Sequence, residues 1–320
     1  MKVLVTGGTG YLGRAVVTAL RARGHDLVIF ARHASRSGLP GAAIDGDVRD
    51  RGALEHAAAG CDAISHSAAL VSIWRRRRAD FDEINVGGLR NVLAVAAAAG
   101  IPRVLYTSSF VALPPRGRTE PLLANDYQRT KVIADRVADQ AVRDGAPLIR
   151  VYPGVVYGPG SFTEGNLVGR LIADHLQHRL PGLVGPENHW SYAYVDDVAA
   201  GHCAALERGR AGGRYALGGD NAPQRRVFEI VQQLTGRRPP PRIPFPVADL
   251  LGAAEELRVN LFGGTPVLTR GAVEIFRHDW SLDSSEAIRE LGYTLTPLIE
   301  GVTRTLSSIR GGASPAEPAR

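Results

Sequence analysis

Residues 3–6, Val-Leu-Val-Thr, run without a break into Gly7-Gly8-Thr9-Gly10-Tyr11-Leu12-Gly13, and a helix-length segment extends from Tyr11 to Arg23. A β-branched run, a glycine turn and a helix in that order leave few folds open. Glycines let the backbone turn tightly and approach a pyrophosphate, whose charge meets free amides and the positive end of the helix. Gly7, Thr9, Gly10, Tyr11 and Leu12 are therefore the first candidate cofactor residues.

The alternation continues through Leu27–Phe30, 53–59, 63–66, 81–99, 104–108, 126–143 and 147–152, with a helix near 198–207 that Asp196 and Asp197 are expected to cap. Strands alternating with helices predict an α/β chain, a Rossmann-type doubly wound parallel sheet. Beyond Pro223 the pattern becomes short helices punctuated by prolines, the last expected near Ser284–Leu291, and reads as a smaller, mostly helical substrate-binding domain. The expected division is residues 1–165 with about 196–222 for the cofactor, and about 166–195 with 223–310 for the substrate. Residues 311–320, GGASPAEPAR, read as a disordered tail.

At 320 residues and 44% hydrophobic the chain can bury a large core. Two cysteines, Cys61 and Cys203, make neither a disulfide framework nor a metal cluster, and no apolar run reaches the roughly 18–20 residues of a membrane span. We expect a cytoplasmic protein with no metal, no membrane and no nucleic-acid partner. The net charge of +6 and the run Arg75–Arg78 lack interleaved aromatics, so the run reads as a solvated loop.

Lysine occurs only at Lys2 and Lys131, in a chain with 38 basic residues, and Lys131 stands one helical turn after Tyr127. Their side chains share a helix face. Lowering a phenol by about 3 pKa units takes roughly 4 kcal/mol, much of which an adjacent ammonium can supply. Upstream, the strand 104–108 ends in Ser108 and Ser109, either of which can hold a substrate carbonyl while Tyr127 moves the proton. Cofactor choice falls to the end of the second strand, where an acid selects NAD and an arginine NADP. Arg32 there favours NADP(H), whereas Asp26 begins the strand and belongs at its far end. Val71, Trp74, Phe110, Tyr157, Trp190 and Tyr192, on loops after strands or in the second domain, together suggest an apolar substrate pocket.

These motifs resemble the extended short-chain dehydrogenase/reductases, the NAD-dependent epimerase/dehydratase superfamily, over nearly the whole chain: TGGTGYLG at 6–13, GDVRD at 46–50, HSAAL at 66–70, YTSS at 106–109, YQRTK at 127–131 and YVDDVAAGH at 194–202. NVGGLRNVL at 85–93, YPGVVYGPG at 152–160 and the C-terminal HDWSLDSSEAIRELGY are most similar to the dihydroflavonol reductase and farnesol dehydrogenase branch. The resemblance implies Asp47 and Val48 at the adenine, Ala68 and Ala69 beside the cofactor, Pro153 and Val155 near the nicotinamide, and Ser109 as the catalytic serine with Tyr127 and Lys131. It also implies NAD(H) as the alternative cofactor and a homodimer through the helices 81–99 and 126–143.

The expected activity is interconversion of an alcohol and a carbonyl on a small, largely apolar molecule. The alternative is a nucleotide-sugar epimerase or dehydratase. Asn166 matches a residue that such relatives use, but Trp190 stands where they carry an arginine for the diphosphate, and the segment between Ser109 and Tyr127 lacks an acidic pair. A third reading, a non-catalytic NADP-binding regulator, is at odds with a whole Ser-Tyr-Lys set.

Overall fold

The computed structural model describes residues 1–311, so all but Gly311 of the expected tail lies outside the described residues. The chain opens with β1 (Lys2–Thr6), α1 (Tyr11–Ala22), β2 (Asp26–Ala31), β3 (Ala42–Asp45), α2 (Arg51–Ala58) and β4 (Ala63–His66). α3 (Ala79–Phe81) passes through a π-helical turn, Asp82–Gly87, into α4 (Gly88–Ala98), and β5 (Val104–Thr107), α5 (Asp126–Arg143) and β6 (Leu148–Pro153) follow. The next stretch holds β7 (Val155–Tyr157), α6 (Leu167–Leu176), β8 (Leu183–Val184), β9 (His189–Tyr194), α7 (Val195–Arg208), β10 (Arg214–Leu217) and β11 (Asp220–Pro223). The C-terminal part is α8 (Gln224–Thr235), β12 (Arg242–Ile243), α9 (Phe245–Phe262), α10 (Arg270–Phe276), α11 (Ser285–Leu291) and α12 (Leu298–Arg310).

Seven strands form one parallel sheet in the order β10-β6-β5-β4-β1-β2-β3. This is the Rossmann-type fold. β1, from Val3 to Thr6, and all of β4 and β6 are buried, as expected of strands covered by helices on both faces. Successive residues point to opposite sides, so Val3 and Val5 pack with α1 and α7 while Leu4 packs with α2 and α4. The strand order reverses beside β1, which opens a crevice at the carboxyl edge. A three-stranded sheet, β11-β9-β7, carries a third core with α6, α8 and α12.

Several elements differ from the sequence expectation. β3 was not foreseen, because Ala42-Ala43-Ile44-Asp45 is a largely exposed edge strand with no apolar run. α7 begins at Val195 rather than 198, and Asp196 and Asp197 lie in its first turn instead of capping it. The Asp197 carboxylate instead accepts from the Thr296 backbone N–H at 2.6 Å and its hydroxyl at 2.9 Å, tying α7 to the segment before α12. Beyond Pro223 the helices are not all short: α9 runs through Phe245–Phe262, with Pro246 tolerated in its first turn. The last helix is α12, not Ser285–Leu291.

Candidate active site

The turn after β1 is shaped by two close approaches. Gly7 has φ of 74°, and a Cβ there would lie 2.5 Å from the Ala68 backbone nitrogen; a Cβ on Gly13 would lie 2.0 Å from the Gly7 carbonyl oxygen. Only glycine fits either place. Gly10, which precedes α1, offers no side-chain cap, and no acidic residue stands in the helix's first turn. Its leading amides are thus left to meet an anion.

This turn forms one wall of a cleft of about 870 Å³ along the carboxyl edge of the sheet. Gly7, Thr9, Gly10, Tyr11, Leu12, Arg32, Asp47, Val48, Ala68, Ala69, Pro153 and Val155 all line it, as do Ser109, Tyr127 and Lys131. A nicotinamide dinucleotide fits these residues: glycine backbone and helix amides for the diphosphate, apolar Val48 and Ala68 for flat rings, and a cationic end at Arg32 and Arg36. Asp26 pairs in register with Lys2 at the opposite edge. Asp47 is bound by Arg49 at 2.8 Å, and that hydrogen bond holds its carboxyl below the usual carboxylate range.

α5 positions the proton-handling groups. Asn125 is extended and its carboxamide oxygen accepts from the Gln128 N–H at 2.8 Å, so the helix starts at Asp126 and Tyr127 falls in its first turn beside the cleft. One turn on, buried Lys131 donates to the Thr107 carbonyl at 2.9 Å and lies 5.2 Å from the centre of the Tyr106 ring. Burial pulls its pKa down to about 8, against an opposing pull from Asp135. Burial raises the Tyr127 pKa, and the nearby Ser109 hydroxyl pulls it the other way. The two serines are separated by their partners: the Ser108 hydroxyl donates to Asp135 at 3.1 Å, while Ser109 lies at the phenol.

Beneath the cleft the polar side chains are mutually bonded. Ser67, Thr107 and His202 form a chain at 2.8 and 3.0 Å, and Thr6 meets His66 at 2.7 Å. His66 is pushed down to about 3 by burial and by Lys131, and His202 to about 4 by burial, so both are neutral. Asn85, in the π-helical turn, accepts from the Leu70 N–H at 2.7 Å and donates to the Leu70 carbonyl and to Thr130. It fixes the 68–71 loop against α5. Asn85 opens the NVGGLRNVL motif, and its signal in the sequence is an amide inside a helix interrupted by two glycines.

The expected substrate residues divide. Val71, Phe110 and Trp190 line the cleft. Trp74 lines an adjoining pocket of about 300 Å³ that shares Ile73, Arg75 and Asn125 with it. Tyr157 and Tyr192 do not reach the cleft: both are buried in the small-sheet core, their rings edge-to-face at 6.3 Å, and the Tyr157 ring is packed against Gly301 of α12. In their place α10 supplies Phe276, stacked 4.9 Å from Trp190, while Trp280 meets Phe110 edge-on at 5.5 Å. Nothing local in the sequence marked Phe276, which reaches the cleft only because α10 folds back onto β9. Asn166 is wholly buried and spent on structure: its amide nitrogen donates to the Gly158 carbonyl and its oxygen accepts from the Gly169 N–H.

Comparison with known proteins agrees with this geometry. Residues 3–218 match the model of the NAD dependent epimerase/dehydratase family. Sterol demethylase protein B of Methylococcus capsulatus is 34% identical over 92% of this chain and 94% of its own length. A Synechocystis protein provisionally named dihydroflavonol 4-reductase is 31% identical over 90% of this chain and 88% of its own. The crystal structure of gox2253 superposes with a TM-score of 0.81 at 30% identity, covering 97% of this chain and 98% of that one. The chain belongs to the NAD-dependent epimerase/dehydratase family, within the extended short-chain dehydrogenases/reductases.

Proposed function

We propose that the protein is an NAD(P)-dependent oxidoreductase that interconverts an alcohol and a carbonyl on a largely apolar substrate. The observation that carries this reading is the continuity of one cleft from the Ser109–Tyr127 pair to the aromatic wall of Phe110, Trp190 and Phe276. When bound, the cofactor supplies or accepts hydride. In reduction, Ser109 orients the carbonyl and Tyr127, held as a neutral phenol by burial, donates its proton to the developing alkoxide. Lys131 places its charge under the site and, with the cofactor bound, would hold its ribose. The cationic end formed by Arg32, Arg36 and Arg14 favours NADP(H) over NAD(H). Residues 1–165 with 196–222 serve the cofactor, and 166–195 with 223–310 close over the substrate.

Support from relatives is of the same kind, since the two named above carry a sterol and a dihydroflavonol in their names. A nucleotide-sugar epimerase or dehydratase is the second reading, and Arg170 of α6 in the cleft wall is the feature that favours it. Against it, Asn166 has no free polar atom to offer a diphosphate. The Tyr127→Phe variant is expected to lose roughly a hundredfold to ten-thousandfold in kcat, followed as NADPH consumption with a panel of ring ketones and aldehydes. Near-wild-type turnover by that variant would overturn the assignment.

A further inference from the structure

We propose that α9 is a docking surface for an anionic lipid bilayer, lying in the interface so that apolar substrate passes from lipid into the cleft. Its outer face carries Val247, Leu250, Leu251, Ala254, Leu257 and Leu261, which recur at the three- and four-residue spacing of one helical stripe. Leu250 is 71% exposed, Leu257 59% and Leu261 66%; Phe262, the last residue of the helix, and Val267 beyond it reach 82% and 84%. Ala248, Gly252 and Val259 form the buried side that holds the helix to the protein. An outward apolar stripe on a packed helix is not accounted for by folding, which would place polar residues there.

Charge selects the occupant. The acidic side chains of the helix are each matched by an arginine: Asp249 by Arg277, Glu255 by Arg258 at 2.8 Å, and Glu256 by Arg270 at 2.9 Å. Around the helix, Arg238 and Arg242 just upstream, and Arg75 and Arg76 in the loop next to its C-terminal half, are exposed and have no ion pair among the described residues. The surface therefore presents apolar side chains with surplus positive charge, the combination that binds anionic lipid. The pocket lined by Trp74, Glu256 and Asn260 lies beside this face and shares Ile73, Arg75 and Asn125 with the cleft, and is the proposed way inward. No described helix is long and apolar enough to cross a membrane. The expectation of no membrane partner rested on that criterion, and a helix lying in the interface does not have to meet it.

The route, though not the docking, rests on the apolar-substrate reading above, and the test separates them. The full chain is mixed with vesicles of phosphatidylcholine containing phosphatidylglycerol, or of phosphatidylcholine alone, and bound protein is measured by flotation without substrate. Wild type is expected to float with the anionic vesicles and to be released by raised salt, and binding by the Leu257→Ser/Leu261→Ser double variant is expected to fall roughly tenfold or more. An unchanged melting temperature shows that the exposed substitutions leave the fold intact. NADPH oxidation with a water-soluble carbonyl should be unaltered in the variant, whereas turnover of a vesicle-loaded apolar carbonyl should fall. Wild type left in solution with anionic vesicles, or equal flotation of the variant, overturns the proposal. So does a variant that changes only the sedimentation mass, which would make the stripe a contact between copies of the chain. Absence of turnover with any carbonyl, with flotation as expected, defeats the oxidoreductase reading and leaves the docking surface standing.

Discussion

Lys131 shows how burial alone sets a functional group. Its ammonium gives up water for one carbonyl and one ring face, and its pKa falls from 10.5 to about 8. The native chain therefore binds fewer protons than the unfolded chain between those values, so this group's contribution to stability rises as pH climbs through that window and is unfavourable below it. Comparing wild type with Lys131→Met by denaturant unfolding at several pH values, the stability difference should move in favour of wild type between about pH 8 and pH 10.5, by a total of a few kcal/mol at ~1.4 kcal/mol per unit. A difference that stays flat over that range would rule out a desolvated ammonium. The Tyr157 hydroxyl is the opposite case, buried with no hydrogen-bond partner among the described residues and facing Gly301, where a Cβ would lie 2.1 Å away. Tyr157→Phe removes an unpaired polar group and should stabilise the protein by about 1 kcal/mol while leaving KM and kcat unchanged; a loss of activity would return this residue to the substrate site.

Among elements, the β1–α1 turn has the least freedom. Gly13→Ala drives a methyl into the Gly7 carbonyl, and the backbone must open to relieve it. We expect loss of NADPH affinity of roughly tenfold or more with a smaller fall in melting temperature, read by cofactor fluorescence titration and thermal unfolding. Unaltered affinity would mean that the turn does not carry the diphosphate. This turn was legible in the sequence because its glycines, strand and helix are contiguous. The helix over residues 79–98 was legible in extent but not in form, since the π-helical turn that presents Asn85 to the Leu70 backbone depends on contacts with a loop fifteen residues away. The role of Asp197 was misread for the same reason. An acid near a helix start looks like a cap, yet its partner Thr296 is brought to it by the C-terminal segment.

For the whole molecule, the family resemblance implied a homodimer, and we propose that α4 and α5 supply that surface, leaving α9 free. Light scattering at micromolar concentration should give twice the 34.1 kDa chain mass, and the same value for a chain carrying substitutions on α9. A monomer throughout would remove the proposed dimer.

The sequence by itself determined the parallel sheet, the glycine turn and the Tyr127–Lys131 face, because each follows from patterns between near neighbours: strand alternation, turn chemistry and helix spacing. Tertiary structure alone decided which aromatics line the cleft. Tyr192 shares a strand face with Trp190 two residues away, and Tyr157 lies in the same core, yet only Trp190 lies far enough along to line the cleft, where Phe276 joins it from far along the chain. It also set the direction of the Tyr127 and Lys131 pKa values, since burial is a property of everything packed around a group and not of its neighbours in sequence.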